Sequence, residues 1–192
     1  PIVVSSEIKD AGLEKITGQQ LKDLYQGRIS SWQEIDSSLP DKPVRVLGRA
    51  KDSGTRTSFV NNVWGSNVNT EVATRYGQNQ RLATAIKQAD NAISYLALAF
   101  LDTDGVEPIA LEWEGTTYKY GADSNGLDAT EYPLSRDLHM YTWEGTSKKE
   151  SAFINMILSD FGQETFVEPN NYFMLSKSRR EEERNKLADQ TA

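Results

Sequence analysis

Apolar positions along this chain alternate between short continuous runs and longer segments in which they recur every three to four residues. Short apolar runs are typical of buried strands, and the longer spacing is typical of helices with one buried face. Strands are predicted at 2–4, 44–47, the start of 92–100, either side of Glu114-Gly115 within 108–120, and 138–143. Helices are predicted at 18–26, 57–64, 80–89, 147–159 and, in the charged tail, 176–192.

This alternation of strands and helices indicates an α/β fold with a mainly parallel sheet and flanking helices. Ligands of such sheets bind beyond the carboxyl ends of strands, often at helix N-termini. The helix at 147–159 is predicted to bury Phe153, Ile154, Ile157 and Leu158, and the polar residues 121–131 are predicted to form a surface loop.

Composition narrows the possible functions. The formal net charge of −7 argues against non-specific nucleic-acid binding, which depends on basic patches, but it does not exclude a small anion held by local donors. The chain has no cysteine, so disulfides and thiolate ligands are excluded. No apolar run approaches the roughly 20 residues that span a bilayer, and no signal peptide is visible.

A Ser-Gly-Thr tripeptide at residues 53–55 lies between the predicted strand 44–47 and the predicted helix 57–64. The first turn of a helix leaves backbone N–H groups without partners and carries partial positive charge. Glycine lets a ligand approach the backbone closely, and the two hydroxyls are further donors. Arg49 and Arg56 add charged donors on either side. The segment therefore predicts a binding site for an oxyanion.

Other interpretations of these residues remain open at this point. Ser and Thr at a helix start commonly serve only as caps. Ser53 as a nucleophile would need a base, and the Gly-x-Ser-x-Gly pattern of hydrolases is absent. The glycine and lysine spacing of nucleotide-binding loops is absent too. We therefore predict a binding module with no catalytic residue and no cofactor.

No metal site is predicted either. His139 is the only histidine, and no cysteine exists to complete a zinc site with it. It is expected to be a structural or surface residue of the strand 138–143. The acidic pairs at 102 and 104 and at 112 and 114 lack the glycine and glutamate pattern of an EF-hand loop, so solvated surface is favoured over calcium.

Several segments resemble one family in their residues and in their order. Residues 49–56 read Arg-Ala-Lys-Asp-Ser-Gly-Thr-Arg and precede a helix that carries a phenylalanine. The other segments are Ile16–Trp32, Ala92–Leu96, the Tyr-Pro-Leu-Ser-Arg run at 132–136, Phe161–Glu164 and Asn171–Leu175. Together they cover nearly the whole chain, and they resemble phosphate ABC transporter substrate-binding proteins of the periplasmic-binding-protein-like type II fold.

The resemblance implies two lobes joined by crossing strands, with an anion in the cleft between the lobes. Residues 9–130 would form the second lobe with the anion loop, while 1–8 and 132–192 would supply the crossing strands and an incomplete first lobe. Pro1 begins a segment that resembles the first crossing strand, so part of the first lobe would be absent. Exposed sheet edges and apolar surface would then favour self-association.

The implied function is binding of phosphate, or a similar tetrahedral oxyanion, by an extracytoplasmic receptor that delivers it to an ABC transporter permease. Closure of two lobes around the anion would be a hinge motion. The alternative is a sensory or surface interaction domain on the same fold, because a fold does not fix function.

The family's ligand roles are carried over only to matching positions. The implied ligand set is Arg49, Ser53, Gly54, Thr55 and Arg56. Arg49 would be a charged donor, whereas Arg56 is left open between the cleft and the surface. Arg136 is expected to have a structural role at the crossover. The family commonly has an acidic residue where this chain has Lys51, so the choice between phosphate and sulfate stays open.

Overall fold

The computed structural model describes residues 1–65, 72–119, 132–143, 145–170 and 172–189. The chain divides into two compact units, Pro1–Arg136 and Asp137–Ala192. The predicted surface loop at 121–131 lies outside the described residues.

A seven-stranded sheet forms the centre of the first unit as far as the structure describes it. Its strands are β1 (Ile2–Ser5), β2 (Lys15–Thr17), β3 (Arg45–Arg49), β4 (Thr74–Tyr76), β5 (Ala92–Tyr95), β6 (Val106–Trp113) and β7 (Thr116–Tyr118). The order across the sheet is β2-β6-β1-β5-β3-β4, and β7 pairs with β6. β3 runs parallel to β4 and β5, and β2 to β6, whereas β1 is antiparallel to both its neighbours. The parallel part of this mixed sheet carries the strand that enters the predicted anion loop.

The helices of the first unit are α1 (Ser6–Asp10), α2 (Gly18–Tyr25), α3 (Gly54–Trp64) and α4 (Asn79–Lys87), with 3₁₀ turns at Trp32–Glu34 and Leu98–Phe100. α2 starts at a reciprocal cap, in which Thr17 Oγ1 accepts from the Gln20 amide and the Gln20 side chain accepts from the Thr17 amide. α3 ends at Gly65, whose φ of 75° suits glycine.

Two apolar layers cover the two faces of this sheet. Successive side chains of a strand point to opposite faces. Ile2 and Val4 of β1 accordingly pack with residues of α2 and α3, while Val3 packs with residues of α4. All three side chains are fully buried. Helices therefore lie on both faces of the sheet, and the predicted α/β class is confirmed.

The division into lobes stays a prediction. In the structure, residues 1–8 belong to the same compact unit as the described part of 9–130. The reason is that β1 is hydrogen-bonded between β5 and β6. The boundary between the two units follows Arg136.

The second unit contains, in its described residues, α5 (Lys148–Ile157), α6 (Asp160–Gly162) and α7 (Lys177–Asp189). α6 continues into a π-helical turn at Gln163–Val167 and a 3₁₀ turn at Glu168–Asn170. The predicted helix at 147–159 and the predicted helical run in the charged tail are thus confirmed over Lys148–Ile157 and Lys177–Asp189. α7 is held in the unit because Arg180 donates to Asp160 Oδ1 at 2.7 Å and Arg184 donates to the Leu158 carbonyl at 2.7 Å. The Arg180 hydrogen bond also lowers the pKa of Asp160 below its usual value.

Two predictions for the second unit are wrong. Residues 138–143 form no strand, and no described strand pairs with them. Their alternating pattern cannot become a strand without a neighbour to satisfy the backbone groups. Of the four side chains predicted to be buried in the helix 147–159, only Leu158, which follows α5, is buried, at 3% exposed. Ile154 and Ile157 are half-buried, and Phe153 is 56% exposed. His139 lies on the exposed surface.

Candidate anion-binding site

The predicted anion loop lies at the carboxyl end of β3. After Arg49 the chain turns through residues 50–53, with the Ser53 amide donating to the Ala50 carbonyl at 3.0 Å. The Ala50 amide donates to the Tyr76 carbonyl at 2.9 Å, which continues the pairing of β3 with β4 past the end of the strand. The first turn of α3 therefore begins at the edge of a parallel sheet where α/β proteins commonly bind ligands.

Ser53 is the N-cap of α3. Its Oγ accepts from the Arg56 amide at 3.5 Å, and its carbonyl accepts from the Thr57 amide at 3.0 Å. Ser53 is only 8% exposed. Ser53 therefore does cap the helix. Its hydroxyl group can still donate a hydrogen bond to a ligand, because a hydroxyl both accepts and donates.

The amides of Gly54 and Thr55 have no hydrogen-bond partner among the described residues. They are the first two N–H groups of an 11-residue helix, where the helix dipole places partial positive charge. Gly54 is exposed and Thr55 is half-buried. Two aligned donors at an open helix end form the kind of array that holds one oxygen or two of a bound anion.

Arg49 is buried and strongly anchored. Its Nε donates to the Tyr76 carbonyl at 3.2 Å, Nη2 donates to the Gly77 carbonyl at 2.8 Å, and Nη1 donates to Asn79 Oδ1. These bonds use three of the five N–H groups of the guanidinium. The side chain is thus held rigidly by the 76–79 loop, and its remaining donors are those available to an anion.

Arg56, left open by the sequence, is only 7% exposed. It takes part in interactions beyond its capped amide. Asp52, by contrast, is exposed and makes no hydrogen bond or ion pair with the described residues. The candidate ligands in the described loop are therefore hydrogen-bond donors, and the oxygens of both phosphate and sulfate can accept from them.

Aromatic side chains fix the strand end beneath the loop. Tyr95 Oη accepts from the Arg49 amide at 3.0 Å, and the Tyr95 ring stacks on Phe59 of α3 with centroids 3.8 Å apart. Tyr25 Oη donates to the Leu47 carbonyl at 2.8 Å. The sequence predicted neither these aromatic contacts nor the hydrogen bond that Asn79 accepts from Arg49. The only signals visible in the sequence are the Tyr that closes the apolar run 92–95 and the Gly-Gln-Asn run at 77–79, where α4 begins.

Within the described part of the chain, no cluster of three His, Cys, Asp or Glu side chains is arranged to hold a metal ion. None of the helices there combines the length and the apolar character needed to cross a membrane.

Most of the chain matches a known protein superfamily. Residues 1–161 match the family model described as a PBP superfamily domain, so the chain belongs to the PBP superfamily. Among curated relatives, "Phosphate-binding protein PstS" of Bacillus subtilis is 27% identical over 163 residues, covering 85% of this chain and 51% of the relative. The protein of the same name from Staphylococcus aureus is 24% identical over 156 residues, covering 79% and 47%. The chain thus spans about half the length of these relatives.

Solved structures show the same fold. A possible phosphate binding protein from Planctomyces limnophilus matches with a TM-score of 0.70 and 21% identity, over 100% of this chain and 69% of that one. A putative phosphate ABC transporter substrate-binding protein from Clostridium perfringens, solved with bound phosphate, matches with a TM-score of 0.64 and 20% identity, over 91% and 68%. These structures confirm the predicted fold, and together with the family match and the curated relatives they bear out the resemblance seen in the sequence.

Proposed function

We propose that the chain binds phosphate, or a similar tetrahedral oxyanion, at the start of α3, as part of an extracytoplasmic receptor for an ABC transporter. The observation that carries this proposal is the pair of unpartnered amides at Gly54 and Thr55 on an exposed helix end, with anchored Arg49 at the end of the preceding strand. The names of the relatives, which are phosphate-binding proteins, supply the ligand and the transport role.

Binding rather than turnover fits the local chemistry. Ser53 Oγ accepts from the Arg56 amide and has no imidazole base in its own unit, because the only histidine of the chain, His139, belongs to the other one. A serine nucleophile needs an adjacent base to remove its proton. The proposed role of Ser53 is therefore to cap α3 and to donate its hydroxyl to the anion.

The isolated 192-residue chain is expected to bind phosphate no more tightly than the millimolar range. The described donors come from one loop at an exposed helix end, where water competes for them, and each charge-assisted hydrogen bond that is not made weakens binding about tenfold or more. The measurement is a titration with phosphate at constant ionic strength, followed by the ¹H and ¹⁵N shifts of Gly54 and Thr55. Saturating shifts at these amides are the expected result.

Titrations with sulfate and with chloride are the controls for this experiment. A saturable shift with phosphate but not with chloride supports the anion site, and the sulfate curve measures selectivity. The alternative of an interaction domain with no anion site would leave Gly54 and Thr55 unmoved by phosphate, which would overturn the proposal. Submicromolar affinity by calorimetry would contradict the expected weak binding.

The chain is further proposed to self-associate through apolar side chains of the second unit. Tyr141 and Trp143 are 88% and 84% exposed, and Leu138 is 63% exposed. Large apolar side chains that are exposed within one short segment favour association. Light scattering at increasing protein concentration should therefore show a molar mass that rises above that of one chain.

The double variant Tyr141→Ser and Trp143→Ser should reduce this association without lowering the melting temperature, since both side chains are already in solvent. Val72→Ser, which replaces a 56% exposed side chain in the first unit, is the matched control and should associate like the wild type. A strict monomer at high concentration would contradict the prediction.

A further inference from the structure

Arg136 reaches the anion loop from a distant part of the sequence. A Cβ atom on Gly54 would lie 2.8 Å from Arg136 Nη1, 3.8 Å from Cζ and 3.9 Å from Nη2. Both residues belong to the first compact unit. The guanidinium therefore lies against the space that glycine leaves open at the first residue of α3.

This guanidinium makes no hydrogen bond or ion pair with the described residues. The backbone beside it is anchored without its help, because Asn62 of α3 donates to the Ser135 carbonyl at 3.1 Å and the Ser135 amide donates to the Tyr132 carbonyl at 2.9 Å. An arginine with a structural role would be expected to engage carbonyl or carboxylate oxygens, as Arg180 does with Asp160. No hydrogen bond or ion pair among the described residues therefore supports the structural role that the sequence predicts for Arg136.

The position of this cation is electrostatically unfavourable in the protein alone. The N-terminus of α3 carries partial positive charge and presents the free amides of Gly54 and Thr55. The partial positive charge of the helix N-terminus repels a guanidinium beside it. An anion bound to the two amides would attract the guanidinium as well as the helix end. Arginine is also suited to two oxygens of one phosphate, because its N–H groups form a planar fork.

We propose that Arg136 is a further ligand of the bound anion, covering the 53–55 turn and donating to the oxygens that the Gly54 and Thr55 amides hold. This inference rests on the proposed phosphate site. Gly54 has two roles in it: its amide faces the anion, and its missing side chain leaves room for the guanidinium.

Arg136→Gln tests the proposal in the 192-residue chain by phosphate titration, read at the Gly54 and Thr55 amides under constant ionic strength. The dissociation constant should rise about tenfold, the effect of one charge-assisted hydrogen bond in a partly exposed site. Arg136→Lys should recover only part of the affinity, since an ammonium cannot make the paired contact. Arg45→Gln, which removes the same charge from the exposed start of β3, should bind like the wild type.

Gly54→Ala is a second, independent test. The amide is retained, but the new methyl would meet Arg136 Nη1 and displace the guanidinium. Affinity should fall about as much as in Arg136→Gln, and Gly54→Ala should add little further loss to a chain that already carries Arg136→Gln.

The outcomes separate this inference from the proposed function. If wild type and Arg136→Gln bind phosphate equally, Arg136 is not a ligand. A lowered melting temperature with unchanged affinity would restore the structural role and overturn the inference. Absence of any saturable shift in the wild type would refute the phosphate site itself, and the role of Arg136 with it.

Discussion

Arg49→Ala is expected to weaken phosphate binding at the proposed site by about 2–4 kcal/mol in a chimaera that joins this chain to the part of the Bacillus subtilis relative that it does not match. The reason is that Arg49 is buried and held in place by the Tyr76 and Gly77 carbonyls, so its donors are fixed before the anion arrives. A fixed charged donor loses little conformational entropy on binding. Calorimetry with phosphate measures the loss, which corresponds to roughly thirtyfold to a thousandfold in affinity.

Arg49→Lys should recover only part of this affinity because an ammonium cannot bond the 76–79 loop and an anion in the same plane. Arg28→Ala is a suitable control, since Arg28 is an exposed arginine of the same unit that pairs with Asp23. If Arg49→Ala bound phosphate as well as the wild type, the loop would bind no anion through Arg49. The Ser-Gly-Thr turn would then be only a helix cap.

The strand, turn and helix around the site could be predicted because the sequence features that indicate them are local. The apolar run at 44–47, the Ser-Gly-Thr turn and the apolar positions after it all lie within one short segment. The start of α2 at Thr17 was predictable for the same reason, because its cap joins residues three apart.

The partners of Arg49 could not be predicted from the sequence. Tyr76, Gly77 and Asn79 lie 27 to 30 residues away, and they reach Arg49 only because β4 pairs in parallel with β3 and places Tyr76 opposite Arg49. β2 and β4 are each three residues long, which is too short for an alternating pattern to be recognised. The same limit applies to Arg136, whose approach to Gly54 follows from tertiary packing.

The mistaken strand at 138–143 shows the opposite limit. Its alternation of apolar and polar residues is the same as that of a paired strand. Pairing, however, depends on a neighbouring strand, and none of the described strands pairs with it. Sequence patterning therefore predicted what the segment could form and not what it forms in this chain.

The Gly-Gln pair that resembles a feature of the family has a physical explanation in the second unit. Gln163 is 2% exposed, its Nε2 donates to the Ile157 carbonyl at 2.8 Å, and its Oε1 accepts from the Leu175 amide at 2.7 Å. Gly162 packs against the end of α5, where a Cβ would overlap the Met156 carbonyl oxygen and lie 2.7 Å from the Ile157 Cα. Glycine is thus required at 162 so that Gln163 can link the end of α5 at Ile157 to the segment at Leu175.

Gly162→Ala is therefore expected to lower the free energy of unfolding of the second unit by about 3 kcal/mol or more. This is at or above the largest usual cost of adding a methyl group to a well-packed core. The atoms that a methyl would meet are backbone atoms, which cannot rotate away as a flexible side chain would. Among its described residues, the second unit has only two buried apolar side chains to offset this cost, Leu158 and Leu187. Amide NMR should show signals of α5 and α7 lost or collapsed, while those of β1, β3 and β5 keep their positions.

Gly77→Ala is the matched control, because a methyl there meets no atom within 4 Å and the backbone needs no positive φ. It should retain the wild-type melting temperature and spectrum. Since Gly162 and the anion loop belong to different compact units, Gly162→Ala should also leave the phosphate-induced shifts of Gly54 and Thr55 intact. Loss of those shifts together with the α5 signals would show that the two units fold as one. Unchanged signals from the second unit would show that α5 tolerates a side chain at 162, so that close packing is not the reason for glycine there.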